Sequence, residues 1–370
     1  RWGGTLIAVA GSAGKTTTRA AVSAALDAAL PGQVHFVRGN LNNQIGVPLV
    51  LLGLDARQRA AAVEIGTNAP GEVATLTDIA QPNAGILTLI DIEHSEGLGS
   101  IERIEAEEAS LYERLGPGAV ALGNVDDERV RRRLSGAKTR ARVGYGFGEG
   151  ADYRILWRDE GNVERSRLVI GRPEGEPLSV DNPFLGRPGA YAVAAAVAST
   201  QTALGTELEP GTFEAAFARL GGLEPGRLTP IALQNGVLVL DDTYNSNPAS
   251  LKSSVATAHE VARARSGRLW LVLGEMRELG DESPRLHREA GETLLDFSAA
   301  CVISLGGEAR WLLEPFERAG VPAHSLESYA AVQFLLQSLR ARDVVLVKAS
   351  RGVRAERVVD GLIDKLGRAG

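Results

Sequence analysis

Short apolar runs alternate with stretches of helical period from residue 6 to about residue 142. The runs at 6–9, 34–37, 61–65, 84–89 and 119–122 are brief, apolar at consecutive positions and closed by glycine or polar residues, which predicts strands. Helices are predicted between and after them at 14–29, 46–52, 71–80, 101–115 and 126–135. Such alternation builds a mostly parallel sheet covered on both faces. From 145 to 183 the period changes to short alternating strands with charged turns, a β-rich excursion of the same domain. Helices resume at 187–204 and 211–219. Near Leu223-Glu224-Pro225-Gly226 the rhythm changes again, and a Pro/Gly segment of this kind marks a domain boundary. The domains are therefore read as 1–224 and 225–370. The second opens on a β-hairpin turning at Asn235-Gly236. Strands at 269–273, 300–304 and 343–347 then alternate with helices at 249–264, 285–297, 327–340 and 353–366, a smaller Rossmann-like α/β domain without a dinucleotide-binding glycine fingerprint.

The strand-to-helix junction at 5–18, TLIAVAGSAGKTTT, adds chemistry to this pattern. An apolar strand breaks at Gly11-Ser12-Ala13-Gly14, and Lys15-Thr16-Thr17 open a helix. Backbone N–H groups in such a turn, with the positive end of the helix, cradle phosphate oxygens. Lys15 is placed to reach terminal phosphates and the Thr16 hydroxyl to sit on Mg²⁺. Val9 stands where the common loop G-x-x-x-x-G-K-[ST] has its first glycine, leaving the shorter G-x-x-G-K-[ST]-[ST]. The first domain is thus expected to be an α/β P-loop domain that binds ATP.

Ligands of parallel sheets gather at the carboxyl ends of the strands, and polar residues cluster there. Asn40, Asn42 and Asn43, fenced by Gly39 and Gly46, satisfy two readings: turn chemistry, or amides offered to a polar substrate. Glu64 closes an otherwise apolar strand, where an unpaired carboxylate is costly to bury and a cation such as Mg²⁺ would offset it. His94 lies between Glu93 and Glu96 beyond the fourth strand, which favours a metal or substrate role. On the helix at 101–115, capped by Ser100, Glu102, Glu105 and Glu107 read as a solvated acidic face. Glu108 falls on the apolar stripe of Ile101, Ile104, Leu111 and Leu115, again a carboxylate in want of a cation. The basic stretch 128–142 reads as a solvated helix face. In the second domain the polar strand ends are 241–247, 274–280 and 348–352; with Arg227 they are expected to line one edge facing the first domain.

Totals narrow the function. The chain has 370 residues, 44% hydrophobic and 23% charged, with a net charge of −6. That balance argues against general affinity for nucleic acid or anionic membrane. Cys301, the single cysteine, lies in an apolar run and reads as a buried small hydrophobe. No apolar segment is long enough to insert in a bilayer and no signal peptide is visible, so the expected compartment is the cytoplasm.

Taken together, GSAGKTT, GNLNNQIGVP, EIGTNAPGE, HSEGLGS, PGRL, DDTYNSNP, GEMRELGDES with His287 shortly after, and VKASRG resemble the Mur ligases, ATP-dependent amide-forming enzymes of peptidoglycan synthesis. GNLNNQIGVP and DDTYNSNP point to the branch that adds D-alanyl-D-alanine to a UDP-muramyl tripeptide. The resemblance implies that a substrate carboxylate attacks the γ-phosphate and that an amine displaces phosphate from the acyl phosphate, with the domains closing to exclude water. It implies that Lys15, Thr16, Glu64 and His94 handle phosphates and Mg²⁺, and that Arg227 approaches the γ-phosphate. Asp242 and Asn245 would hold the nucleoside, and Asn42, Asn43 and Asn68 the muramyl peptide. Lys348, Ser350 and Arg351 would meet the peptide at the carboxyl domain. A monomer is expected.

Three departures from the family pattern stand out. Glu108 occupies the position of a lysine that is carbamylated to bind metal; the same charge on a shorter arm suggests direct replacement near a second Mg²⁺. Pro188, Gly189 and Ala192 stand where the family has His, Asn and Asn, leaving Tyr191 as the residue there to stack on adenine. The family's N-terminal UDP-gripping domain is not in this chain, which is expected to weaken UDP-sugar binding. Two alternatives stay open: another amino-acid ligase of this fold with a non-UDP acceptor, such as a folylpolyglutamate- or cyanophycin-type enzyme, and a non-catalytic ATP-binding relative.

Overall fold

Because residues 6–10 are apolar without alternation, a strand built from them must be covered on both faces. The computed structural model describes all residues except 1, 38, 93–94, 159–165, 207–208, 219, 221–224 and 370. In it the chain divides into two compact units, Arg1–Asp159 with Arg165–Gly221, and Gly222–Gly370.

The first unit runs β1 (Thr5–Ala10), α1 (Lys15–Ala29), β2 (Val34–His35), α2 (Gly46–Leu52), β3 (Ala60–Glu64), α3 (Glu72–Ala80), β4 (Ala84–Leu87), α4 (Ser95–Leu98), α5 (Ile101–Arg114), β5 (Val120–Asn124) and α6 (Glu128–Ser135). It continues through β6 (Ala141–Gly146), β7 (Tyr153–Arg158), β8 (Ser166–Gly171), β9 (Leu178–Asn182), α7 (Gly186–Leu204) and α8 (Pro210–Ala218). The strands form one nine-stranded sheet ordered β2-β3-β1-β4-β5-β6-β7-β8-β9. It is parallel as far as β7 and antiparallel through β8 and β9, so the β-rich excursion extends the same sheet. Leu6, Ala8 and Ala10 pack with Val63, Leu76, Leu111 and Tyr112 in one core. Alanine-rich α1 and α7 lie against each other and cover β1. Since β3 and β4 flank β1, the loop after β1 opens at the point where strand order reverses, the usual ligand crevice of such sheets.

The second unit runs β10 (Thr229–Ala232), β11 (Leu238–Asp242), α9 (Pro248–Ala264), β12 (Leu269–Leu273), α10 (Ser283–Leu294), β13 (Cys301–Ser304), α11 (Leu313–Arg318), β14 (Ala323–Ser325), α12 (Ser328–Ser338), β15 (Val344–Lys348) and α13 (Glu356–Leu366). Its six strands are ordered β10-β11-β15-β12-β13-β14, with β10 antiparallel to β11 and the remainder parallel. Asn247 caps α9 reciprocally with Ser250, and Pro248 takes the first turn, which explains the order Asn-Pro in DDTYNSNP. Cys301 is buried, and burial pushes its thiol up to about 11, in keeping with an inert core residue. No helix among the described residues is long and apolar enough to cross a membrane.

Several expectations need correction. β2 stops at His35, and α11 and β14 were not foreseen. Ser100 occupies the position before α5, but its hydroxyl makes no cap bond. The acidic face of α5 is not solvated beyond Glu102. Glu105 is buried and paired with Arg132 (2.6 Å) and Arg133 (2.7 Å). Burial alone would raise its pKa, but these hydrogen bonds outweigh it and hold the carboxyl below the usual range. Arg132 and Arg133 are thereby drawn from the supposed solvated face of α6 into a structural contact. Glu107 is buried too, and accepts from Gly71 N (2.7 Å), Val73 N (2.8 Å) and Thr67 Oγ1 (3.2 Å). It caps the start of α3 from a neighbouring helix, a role that no local spacing announces.

Glu107→Ala should therefore leave two backbone donors at the start of α3 unsatisfied and cost about 1–3 kcal/mol. Urea denaturation checks this. Glu107→Gln, which keeps one acceptor oxygen, should recover part of the loss.

Candidate active site

The loop between β1 and α1 takes its shape from two glycines. Gly11 has φ +121°, and a Cβ there would stand 2.2 Å from Thr88 Oγ1. Gly14 has φ +84° and starts α1 with no side-chain cap. Ser12 N donates to Leu89 O (2.8 Å), while Ser12 Oγ and the Asp91 backbone bond each other, tying the loop to the segment after β4. Thr88 Oγ1 donates to Ala13 O at 2.7 Å. Lys15 Nζ donates back to Gly11 O at 2.5 Å. The loop is thus held by its own backbone and by β4, while the helix terminus faces outward with its dipole.

Two carboxylates border it. Glu64 is 4% exposed; its Oε2 accepts from Thr16 Oγ1 (2.7 Å) and its Oε1 from Asn42 Nδ2 (2.9 Å). Arg19 Nε stands 3.9 Å from Glu64 Oε2. Glu108, fully buried, accepts from Gly11 N at 2.7 Å. The structure thus brings Gly11, Thr16, Glu64 and Glu108 together. Among the described residues there is no group of three His, Cys, Asp or Glu side chains able to hold a metal. Hard oxygen donors from Thr16 and Glu64 nevertheless fit Mg²⁺, which keeps several waters and takes further oxygens from a substrate's phosphates. His94 lies outside the described residues.

The asparagines divide between the two readings. Asn43 Oδ1 accepts from Ile45 N (3.1 Å) and Gly46 N (2.9 Å), which is turn chemistry at the head of α2. Asn42 holds Glu64. Asn68 is exposed, with its backbone N–H on Glu72. The Tyr191 hydroxyl donates to Asp126 (2.8 Å) and its ring meets that of Phe147 at a T-shaped angle, 5.4 Å between centroids. Arg187 covers Phe147 at 4.2 Å. Burial, first of all, pushes the Tyr191 hydroxyl up to about 12.

In the second unit, β15 lies between β11 and β12, and three loops meet at their carboxyl ends. Lys348 is 2% exposed; its Nζ donates to Asp242 Oδ2 (2.6 Å) and Asn245 O (2.8 Å). Asp242 also accepts from Ser254 Oγ (2.6 Å) and Leu228 N (3.1 Å). Ser350, buried, accepts from Arg277 N (2.9 Å) and donates from its backbone to Glu275 O (3.1 Å). Arg227 and Arg351 both lie over the ring of Tyr244. His287, fully buried, accepts from Met276 N at Nε2 (2.9 Å), so its proton is on Nδ1, donated to Ser283 O (2.7 Å).

Sequence reasoning missed Thr88, Arg19 and Tyr244. Thr88 had a signal, a lone hydroxyl in the apolar run 84–89. Arg19 had one too, as a charge on the buried side of an alanine-rich helix.

A parallel sheet with a glycine-bent loop at its switch point, followed by a smaller α/β unit, defines a P-loop-type two-domain protein. The first unit matches the Mur ligase middle domain over residues 9–200, and the second the Mur ligase glutamate ligase domain over 226–351. The chain belongs to the Mur ligase family. It is 30% identical to the UDP-N-acetylmuramoyl-tripeptide–D-alanyl-D-alanine ligase of Haemophilus influenzae, over 97% of this chain and 77% of that protein. Among solved structures it resembles MurF from Acinetobacter baumannii (TM-score 0.85, 28% identity, covering 98% of this chain and 77% of that one). It also resembles MurF ligase from Thermotoga maritima in complex with ADP (TM-score 0.84, 25% identity, 98% and 80%).

Burial pushes the His287 pKa down, against smaller opposing effects of Ser283 O, Glu308 and Glu275. A histidine whose folded pKa is depressed contributes stability above its unfolded value, about 6.5, and loses it as pH falls further. Thermal midpoints between pH 7.5 and 5 should therefore drop. His287→Leu should flatten that slope and cost about 1–3 kcal/mol at neutral pH, because Met276 N–H loses its acceptor.

Proposed function

We propose that the chain is an ATP-dependent ligase that joins D-alanyl-D-alanine to a UDP-muramyl tripeptide, a cytoplasmic step of peptidoglycan synthesis. The observation that carries this reading is the glycine-bent loop at the switch point, with the Thr16 hydroxyl on Glu64. The names of its relatives supply the substrate class. In the reaction an acceptor carboxylate oxygen attacks the γ-phosphorus of ATP, the bond to the bridging oxygen breaks and ADP leaves. The amine nitrogen then adds to the acyl carbon, loses a proton, and inorganic phosphate departs.

The backbone of Gly11, Ser12, Ala13 and Gly14, with Lys15, Thr16 and Thr17, grips the triphosphate. Thr16, Glu64, His94 and Glu108 are the residues to hold Mg²⁺, which when bound neutralises charge on the phosphate oxygens. Arg227 steadies a phosphate. Asp242 and Asn245 take the nucleoside; Lys348, given over to Asp242, sets the direction of that carboxylate. Asn42 and Asn43 each have one amide group engaged internally, so Asn42 offers its carbonyl and Asn43 its NH₂ to the muramyl peptide, beside Asn68. Ser350 serves the incoming peptide.

Phosphate release by the whole chain should require ATP, UDP-muramyl tripeptide and D-alanyl-D-alanine together. Release with free glutamate in place of the dipeptide would favour an amino-acid ligase that takes a different incoming amine, and release with neither substrate would overturn the reading. Glu108→Ala should lower ligation at least about a hundredfold, as loss of a charge-stabilising group does; full activity in that variant would remove Glu108 from the metal site.

A further inference from the structure

Tyr244 belongs to no role assigned so far, yet two cations converge on it. The Arg227 guanidinium carbon lies 3.9 Å from its ring centroid and that of Arg351 5.0 Å. Arg227 arrives from a turn with left-handed residues on both sides, Gly226 at φ +81° and Leu228 at φ +54°. Leucine adopts that backbone only where its surroundings over-determine it. Here they do: Gly226 O accepts from Tyr244 N (2.9 Å), and Leu228 N donates to Asp242 Oδ1 (3.1 Å). A Cβ at 226 would stand 3.0 Å from Tyr244 N. The turn is thus clamped to the loop that carries the ring. Arg351 follows β15, next to Ser350, whose hydroxyl and N–H are bonded to the 275–277 and 246 backbone. Two guanidiniums brought to one neutral ring repel each other, and the ring's negative face offsets that repulsion. Paired guanidiniums are suited to an oxyanion with several oxygens.

We propose that Tyr244 is a positioning residue whose ring, with the turn at 226–228, holds Arg227 and Arg351 together as one receiver for phosphate oxygens. The identity of the phosphate-bearing molecule as the nucleotide rests on the ligase reading; the pairing does not.

The test is a double-mutant cycle on the whole chain with two readouts, calorimetric binding of inorganic pyrophosphate and the KM for ATP in phosphate release. Tyr244→Ala should weaken pyrophosphate binding and raise KM about tenfold, with kcat changed less. Tyr244→Phe, which keeps the ring, should stay within about twofold of the parent. In an Arg227→Ala/Arg351→Ala background, Tyr244→Ala should have no further effect, because it acts through those side chains. An additive loss in that background, equal damage from Phe and Ala, or pyrophosphate binding indifferent to both arginines would each overturn the proposal. Coupled pyrophosphate binding in a chain that releases no phosphate would uphold the pairing and sink the ligase reading.

Discussion

The carboxylate of Glu64 is the constraint on which the first unit depends. A charge at 4% exposure is tolerated only with several hydrogen bonds in good geometry. The sheet register sets Glu64 beside Val9, so its partners must come from the loop after β1 and from the chain that crosses above β3. Thr16 supplies one from the first turn of α1. Asn42 supplies the other, from a segment folded back so that Gly66 N bonds Asn42 O. The head of α1 and the asparagine turn are thereby fixed to one another by a single side chain, while the loop between β1 and α1 is held by its own backbone, by β4 and by Glu108.

The second unit, also built on a mostly parallel sheet but with a different strand order, meets its strand-end carboxylate differently. Asp242 and Lys348 are register partners on adjacent parallel strands, and their ion pair at 2.6 Å is buried. In the first unit the carboxylate is met at hydrogen-bond distance by a hydroxyl and an amide, neither of which cancels its charge. In the second, a full ammonium does. In the first cluster the Arg19 guanidinium stands further off, 3.9 Å from Glu64, while the second, with Arg227 and Arg351 nearby, carries more positive than negative charge and suits an anion.

Where a residue's role is local, the sequence shows it. The strand-glycine-helix junction at 5–18 is legible because consecutive residues make the turn, and the hairpin at Asn235-Gly236 is legible for the same reason. Buried carboxylates are half legible. Glu64 and Glu108 break apolar patterns and so declare themselves, but which donors meet them depends on register and crossover. Glu105 and Glu107 defeat the pattern altogether: on a helix read alone they share a polar face with Glu102, and only the packing of α3 and α6 against α5 turns them inward. That the Tyr191 hydroxyl bonds Asp126, 65 positions away, is likewise invisible in the sequence. Tyr244 was hidden for a different reason, since nothing in its own neighbourhood indicates that Arg351 will share its ring.

The placement of Glu108 has a consequence for what the loop will accept. Its carboxylate sits on Gly11 N, one of the donors that such a loop would otherwise turn toward an anion. With Glu64 on the other flank, a triphosphate at this loop would meet two carboxylates as well as the helix dipole, Lys15 and, 3.9 Å from Glu64, Arg19. A divalent cation reverses the sign of both carboxylate contributions at once. On the proposed ligase reading, the two carboxylates beside the loop would favour a nucleotide that arrives with its metal over the free anion.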